Sequence, residues 1–240
     1  MPLDIAIAQI EPETAAFRTH YDAFKYLKVL TTDLGMTAFL VLSLPSVDIV
    51  EIGAAKILTN WPREMIEHYD RYNLLIDSPV IRRLLGSTTP FTYDVEAINA
   101  EREDGKRSVV VELFQRHRME KGAYFPVHDA AGGRGAVSFS GGRILAVHEL
   151  AKLLYIVTFV YNRISQLSLV EQNRAVPLGQ VEIDCLQLTA AGKSGRQIGA
   201  LLGMSESAVS SMIVSIIKKL GCNNRTQAVV TALRLGLIRA

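Results

Sequence analysis

Gly192–Leu220, GKSGRQIGALLGMSESAVSSMIVSIIKKL, reads as two helices joined by a tight turn. Gly203 can supply the left-handed conformation that ends the first helix, and the Ser205 hydroxyl can cap the second. Two short helices at this spacing form a helix-turn-helix, a motif whose second helix is shaped to enter the DNA major groove. Laid out at about 100° per residue, Val209, Ile213, Ile216 and Leu220 fall within about 40° of one line, the stripe of a core-facing side. Ser207, Ser211, Val214, Ser215 and Lys218 point the other way. A purely solubilising face more often carries Glu/Lys pairs. Short hydroxyl side chains instead let a helix approach base edges, where they donate or accept, and a valine can pack on a thymine methyl. The alternative is a small-residue face that packs on another helix.

Outward from this stretch, the chain is long enough for two modest domains: 240 residues, 49% hydrophobic and 21% charged, as in ordinary soluble proteins. The formal net charge is only +2, but it is unevenly spread. From Leu178 onward seven basic residues face three acidic ones, a net +4 that leaves −2 for the remainder. A compact basic domain attached to a slightly acidic one fits a DNA reader joined to something else.

Residues 1–167 are expected to form the first domain, 168–177 (SLVEQNRAVP) a linker that loses periodicity and ends in proline, and 178–240 the second. The second domain should hold four helices, near Gln180–Ala190, Gly195–Leu202, Glu206–Leu220 and Arg225–Leu235. In the first, Pro12–Gly35 has amphipathic helical spacing, and Thr37–Leu44 reads as a buried strand with Val50–Thr59 as its antiparallel neighbour. Pro62 opens a helix that continues over Arg63–Leu75, Pro79 restarts one, and a long connection leads to a helix at Ser108–Met119. Gly122–Val127 and Gly135–Ser140 form a hairpin, followed by a long helix over Arg143–Gln166. The expected fold is therefore α+β, a central antiparallel sheet flanked by helices, plus an all-α four-helix domain containing the helix-turn-helix.

The five histidines are scattered, with no paired metal-ligand spacing and no phosphate loop, which argues against an enzyme or a metal cofactor. Cys185 and Cys222 read as thiols in a reducing cytoplasm. The apolar run Ile144–Ile164 is interrupted by His148, Glu149, Lys152 and Asn162, a poor membrane span, and the N-terminus lacks a signal-peptide pattern. The expected compartment is the cytoplasm.

The C-terminal stretch resembles the LuxR-type DNA-binding domain: Glu182 and Leu186, the turn Ala191-Gly192-Lys193-Ser194, Ile198 with Leu202, Val209, Lys219-Leu220, Asn224-Arg225, Ala228-Val229 and Gly236-Leu237-Ile238. Gly179, Leu188 and Met212 depart from its usual threonine, tryptophan and histidine. The resemblance implies a DNA-contacting set of Lys193, Ser194, Ser207, Ser210, Ser211, Val214, Ser215, Lys218, Lys219, Arg225 and Thr226. Those at helix starts and turns suit phosphate contact.

The N-terminal part resembles the autoinducer-binding domain of quorum-sensing regulators, through Trp61-Pro62, Tyr69, Asp77 with Pro79, Pro90-Phe91 with Tyr93, Gly122, Pro126 and the strand ending at Ser138. It implies a ligand pocket of Trp61, Met65, Tyr69, Asp77, Tyr93 and Ser138, in which Asp77 accepts an amide N–H and Tyr69 meets an acyl carbonyl. Met65 stands where a tryptophan would donate to a lactone carbonyl, Tyr93 replaces another tryptophan, and Ser78 is inserted before the proline. Methionine has no N–H, so acyl-homoserine lactone is not the expected effector. Apart from the resemblance, Asp77 reads as a turn former and Tyr69 and Tyr93 as core aromatics. The expected partners are double-stranded DNA, a second copy or a related regulator chain, a small-molecule effector and RNA polymerase, with no membrane. A regulator whose N-terminal domain only dimerises, without ligand, is the other reading.

Overall fold

The computed structural model describes residues 7–44, 51–130, 132–175 and 178–238, which divide into two compact units, 1–165 and 166–240. In the first, α1 (Ile7–Ala15) and α2 (His20–Asp33) replace the single helix expected over Pro12–Gly35. Thr19 and Asp22 form a capping box: Thr19 Oγ1 accepts from Asp22 N–H at 3.3 Å and Asp22 Oδ2 from Thr19 N–H at 3.0 Å. That local signal starts a new helix even though the apolar spacing runs through it.

Strand β1 (Ala38–Leu44) is the expected buried strand. Its antiparallel neighbour β2 is only Lys56–Thr59, because the Gly-Ala-Ala sequence before it forms a helical turn, α3 (Ile52–Ala55). Asp70 closes the start of that turn, Oδ1 accepting from Ile52 N–H at 2.7 Å. Val50 lies outside the described residues. Helix α4 (Arg63–Arg71) ends before Leu75, where Asn73 takes a positive φ of 50°. Helix α5 (Pro79–Gly86) begins with proline in its first turn.

Strand β3 (Phe91–Asp94) follows α5 where no strand was expected, and the expected long connection holds the short α6 (Val95–Ile98) before α7 (Arg107–Arg116). The hairpin is β4 (Lys121–His128) and β5 (Arg134–Gly141). The described strands form one antiparallel sheet in the order β2-β1-β5-β4-β3.

Both sheet faces are covered, so the strands read as near-continuous apolar runs. Phe39, Val41, Phe125, Val137 and Phe139 point to one side. Ala38, Leu40, Leu42, Phe91, Tyr93, Tyr124 and Ala136 point to the other, where they pack with Met65 and Tyr69 of α4, Leu84 of α5, and Leu113 and Phe114 of α7.

Helix α8 (Val147–Ala175) begins later than expected and runs through most of the stretch read as a linker, 168–175. Residues 176 and 177 lie outside the described set. Leu153, Ile156, Val157, Val160, Tyr161 and Ile164 of α8 are buried. By length and composition Val147–Val170 passes for a membrane span despite His148, Glu149, Lys152, Asn162 and Arg163. The same composition suits a helix with one side buried in a protein core.

In the second unit, α9 (Gln180–Ala190), α10 (Gly195–Leu202), α11 (Glu206–Lys219) and α12 (Arg225–Arg234) enclose a core of Cys185, Leu186, Ile198, Val209, Ile216, Ala228, Ala232 and Ile238.

Candidate ligand pocket and nucleic-acid interface

The α10–α11 turn forms as the glycine and serine pattern requires. Gly203 adopts φ 68° and ψ 33°, Ser205 Oγ accepts from Ala208 N–H at 3.2 Å, and the two helices meet at a bend of 101°. A Cβ on Gly199 would lie 2.5 Å from Met204 O, so only glycine lets the two helices approach this closely. Ser194 and Gln197 complete a capping box at the start of α10.

On α11, Val209 and Ile216 are fully buried while Ile213 and Leu220 are half-buried, confirming the inner stripe. Ser207, Ser211, Val214, Ser215 and Lys218 are all exposed, and Val214 keeps 66% of its surface. Such exposure of a valine mid-helix, ringed by serines, leaves an outer face free of bulk. Ser210 is also exposed, its hydroxyl returning to Glu206 O at 3.0 Å.

Two of the basic residues expected at DNA, Lys219 and Arg225, are held by groups of neighbouring helices. Lys219 Nζ lies 2.8 Å from both oxygens of Glu182, tying α11 to the start of α9. Burial pushes the Glu182 carboxyl up, but Lys219, the Gly179 N–H and the Ser215 hydroxyl together hold it below its ordinary range. Glu182 Oε2 accepts from Gly179 N–H at 2.8 Å, half of the capping box that a threonine would have completed. Arg225 donates to Thr189 Oγ1 at 3.3 Å and to Lys193 O at 2.9 Å, joining α12 to the α9–α10 turn. Lys193, Ser194 and Thr226 are exposed at helix starts or turns. Leu188 and Met212 pack against the domain core.

In the first unit, an aromatic chain crosses the even-numbered face of the sheet. Ring centroids of Trp61 and Phe114 are 5.6 Å apart, Phe114 and Tyr93 6.4 Å, and Tyr93 and Tyr124 5.4 Å. Tyr69 meets both Trp61 and Phe114, at 5.8 and 6.2 Å. Trp61, Met65, Tyr69 and Tyr93 therefore belong to one buried cluster, and Ser138 lies on the same sheet face beside Tyr124.

Within this apolar setting three polar atoms are buried with no hydrogen-bond partner of normal geometry among the described residues: Trp61 Nε1, Ser138 Oγ and Ser140 Oγ. The two serine hydroxyls lie near the phenols of Tyr124 and Tyr93, and the Tyr93 hydroxyl donates to Met119 O at 3.3 Å. Desolvation pushes the Tyr69 phenol up to about 12 and raises Tyr93 and Tyr124 as well, so all three stay neutral. Trp61 was expected in the pocket, but its role as an unpaired donor, and that of Ser140, could not be read from residue spacing.

Asp77 stands apart from this cluster, contrary to its expected place beside Tyr69. It adopts φ 56°, forms an ion pair with Arg82 at the surface, and accepts from Glu103 N–H at 3.2 Å. Arg102, its side chain 1% exposed, donates to Leu74 O and Ile76 O and pairs with Asp104, fastening the same segment from beneath. The aspartate acts as the turn former, and Ser78 caps α5.

Comparison with known proteins follows both units. Residues 19–164 match the family described as Autoinducer binding domain, and residues 176–232 that described as Bacterial regulatory proteins, luxR family. The chain is 27% identical over 211 residues to the quorum sensing-dependent transcriptional regulator RpaR of Rhodopseudomonas palustris, covering 88% of this chain and 86% of that one. It is 26% identical over 188 residues to the transcriptional activator LuxR of Aliivibrio fischeri, covering 76% and 74%. The crystal structure of Escherichia coli SdiA superposes with a TM-score of 0.72 at 18% identity, over 96% and 97% of the two chains. SdiA in complex with octanoyl-rac-glycerol gives 0.73 at 17% identity, over 98% and 96%. These structural likenesses extend the shared fold over nearly the whole chain.

Proposed function

This chain belongs to the LuxR family of bacterial regulatory proteins and is a quorum-sensing transcriptional regulator with an autoinducer-binding domain, and from that premise we propose that a small neutral molecule held against the first unit's sheet controls docking of α11 on DNA. The observation that carries this reading is the buried Trp61 indole N–H, which has no hydrogen-bond partner among the described residues, within a cluster that includes Met65, Tyr69 and Tyr93. Leaving such a group unsatisfied costs about 1–3 kcal/mol, and a ligand offering a matching group recovers that cost on binding. Trp61, Met65, Tyr69, Tyr93 and Ser138 line the ligand.

On DNA, Ser207, Ser211, Val214, Ser215 and Lys218 face base edges, while Lys193, Ser194 and Thr226 meet phosphate. Lys219 and Arg225 hold the domain in shape beside that surface. The protein acts in the cytoplasm as a dimer, since one recognition helix reads only a few base pairs and a two-fold pair of half-sites supplies adequate specificity.

Denaturing the purified protein, extracting it and examining the extract by mass spectrometry tests the reading. A small molecule at one equivalent per chain is expected. An empty, stable dimer that binds DNA at full affinity would instead establish a regulator independent of ligand.

A further inference from the structure

Serine hydroxyls on the outer side of α11 already have partners within the second unit. Ser207 Oγ lies 2.9 Å from Ser205 Oγ, Ser210 donates to Glu206 O at 3.0 Å, and the Ser215 hydroxyl is bonded to the Glu182 carboxylate. A hydroxyl that donates within the protein can only accept from a base edge.

Side chains that identify a base through two hydrogen bonds in one plane are also missing from this helix. Its sequence, ESAVSSMIVSIIKK, has no arginine, asparagine or glutamine. Glu206 is turned to Arg196, at 3.7 Å. Ser211 and Lys218 are exposed one turn before Val214 and one turn after it. Each of them suits more than one base, since a hydroxyl pairs with either kind of edge and an ammonium with the acceptors of guanine or of thymine.

Val214 differs from these neighbours in kind. It keeps 66% of its surface, so the second unit does not cover it, and the positions beside it on the helix face are Ser210, Ser211 and Lys218. In the major groove an isopropyl group finds an apolar partner on thymine alone, the C5-methyl group. Against the polar edge of any other base it would strip water and return no hydrogen bond. Against the methyl, both apolar surfaces leave water together.

We propose that Val214 is a specificity-determining residue and that it reads a C5-methyl group, so that the operator carries a thymine beneath each α11 that no other standard base replaces without loss. The inference rests on the docking of α11 proposed above and adds the chemical group that the helix recognises.

Selection from a random duplex library with the full chain yields the operator. Each of its thymines is then replaced in turn by deoxyuridine, which removes the methyl group and keeps every hydrogen-bonding group of the base. Wild-type protein is expected to lose roughly fourfold in affinity at one thymine of each half-site, the worth of one buried methyl-sized group. Val214→Ala, which favours the helix, should bind the thymine operator more weakly by about the same factor and bring the thymine-to-uracil ratio to about 1. Lys218→Ala should weaken both operators alike and leave that ratio unchanged. Wild-type protein indifferent to uracil at every position would overturn the inference while keeping the docking, as would a Val214→Ala protein that retains the full ratio. A chain that enriches no sequence and binds no duplex would overturn the docking and the inference together.

Discussion

Lys218 and Lys219 are neighbours on α11 with different surroundings. Lys218 is exposed on the outer face, and Lys219 is bound to both oxygens of Glu182. Lys218→Ala should therefore weaken operator binding by about 1–3 kcal/mol and relax specificity at the base pair that the lysine reads. Ser211→Ala should weaken binding at fixed salt, and unchanged titrations for both variants would refute the docking face. Lys219→Ala should instead lower the melting temperature, by an amount equivalent to at most about 1 kcal/mol for a partly exposed pair. Adjacent lysines look alike in a sequence; the partner that separates their roles lies 37 residues away. The same holds for Asp77, whose partners Arg82 and Glu103 lie 5 and 26 residues away. The burial of Trp61, Met65, Tyr69 and Tyr93 in one cluster follows from their apolar and aromatic side chains beside α4 and the sheet.

Helices and strands were legible where local chemistry and burial agree. The α10–α11 turn is the clearest case, since Gly203, Ser205 and the apolar stripe all specify it. Gly199→Ala should destabilise the second unit by about 1–3 kcal/mol through overpacking against Met204 O, visible as a lower midpoint in chemical denaturation. Strand β3 was hidden because it is four residues long and obtains its hydrogen bonds from β4, a partner far along the chain. The start of α8 has its own electrostatic lock. Arg143 reaches Glu149 at 2.6 Å and Leu34 O at 2.7 Å. Its hydrogen bonds to Glu149 are the main reason that the carboxyl is pushed down to about 2 from an ordinary 4.5, outweighing burial. A lowered folded pKa means that the stabilisation is fully present above the ordinary value and is lost as pH falls through the folded one. Glu149→Gln should thus lower stability at pH 7, and its difference from wild type should shrink from about pH 4.5 toward pH 2 in acid titrations followed by circular dichroism.

At the scale of the molecule, two units with different jobs are joined through α8, and its outward residues in the first unit include Val147, at 83% exposure, and Tyr155, at 39%. A surface of this kind suits a second copy of the chain. Tyr155→Glu should halve the mass measured by light scattering and weaken operator binding, and an unchanged dimer mass would remove α8 from the interface. Two units and the helix-turn-helix with its inner and outer faces were determined by the sequence itself, because each depends on residue periodicity or on a turn residue's backbone preference. Tertiary structure alone decided that α8 replaces the linker over residues 168–175, that Lys219 and Arg225 have internal partners, that Asp77 pairs with Arg82, and that the Trp61 indole N–H is buried with no hydrogen-bond partner among the described residues. Those outcomes depend on which polar groups meet across long stretches of chain, and pairing at that distance leaves no local pattern in the residues themselves.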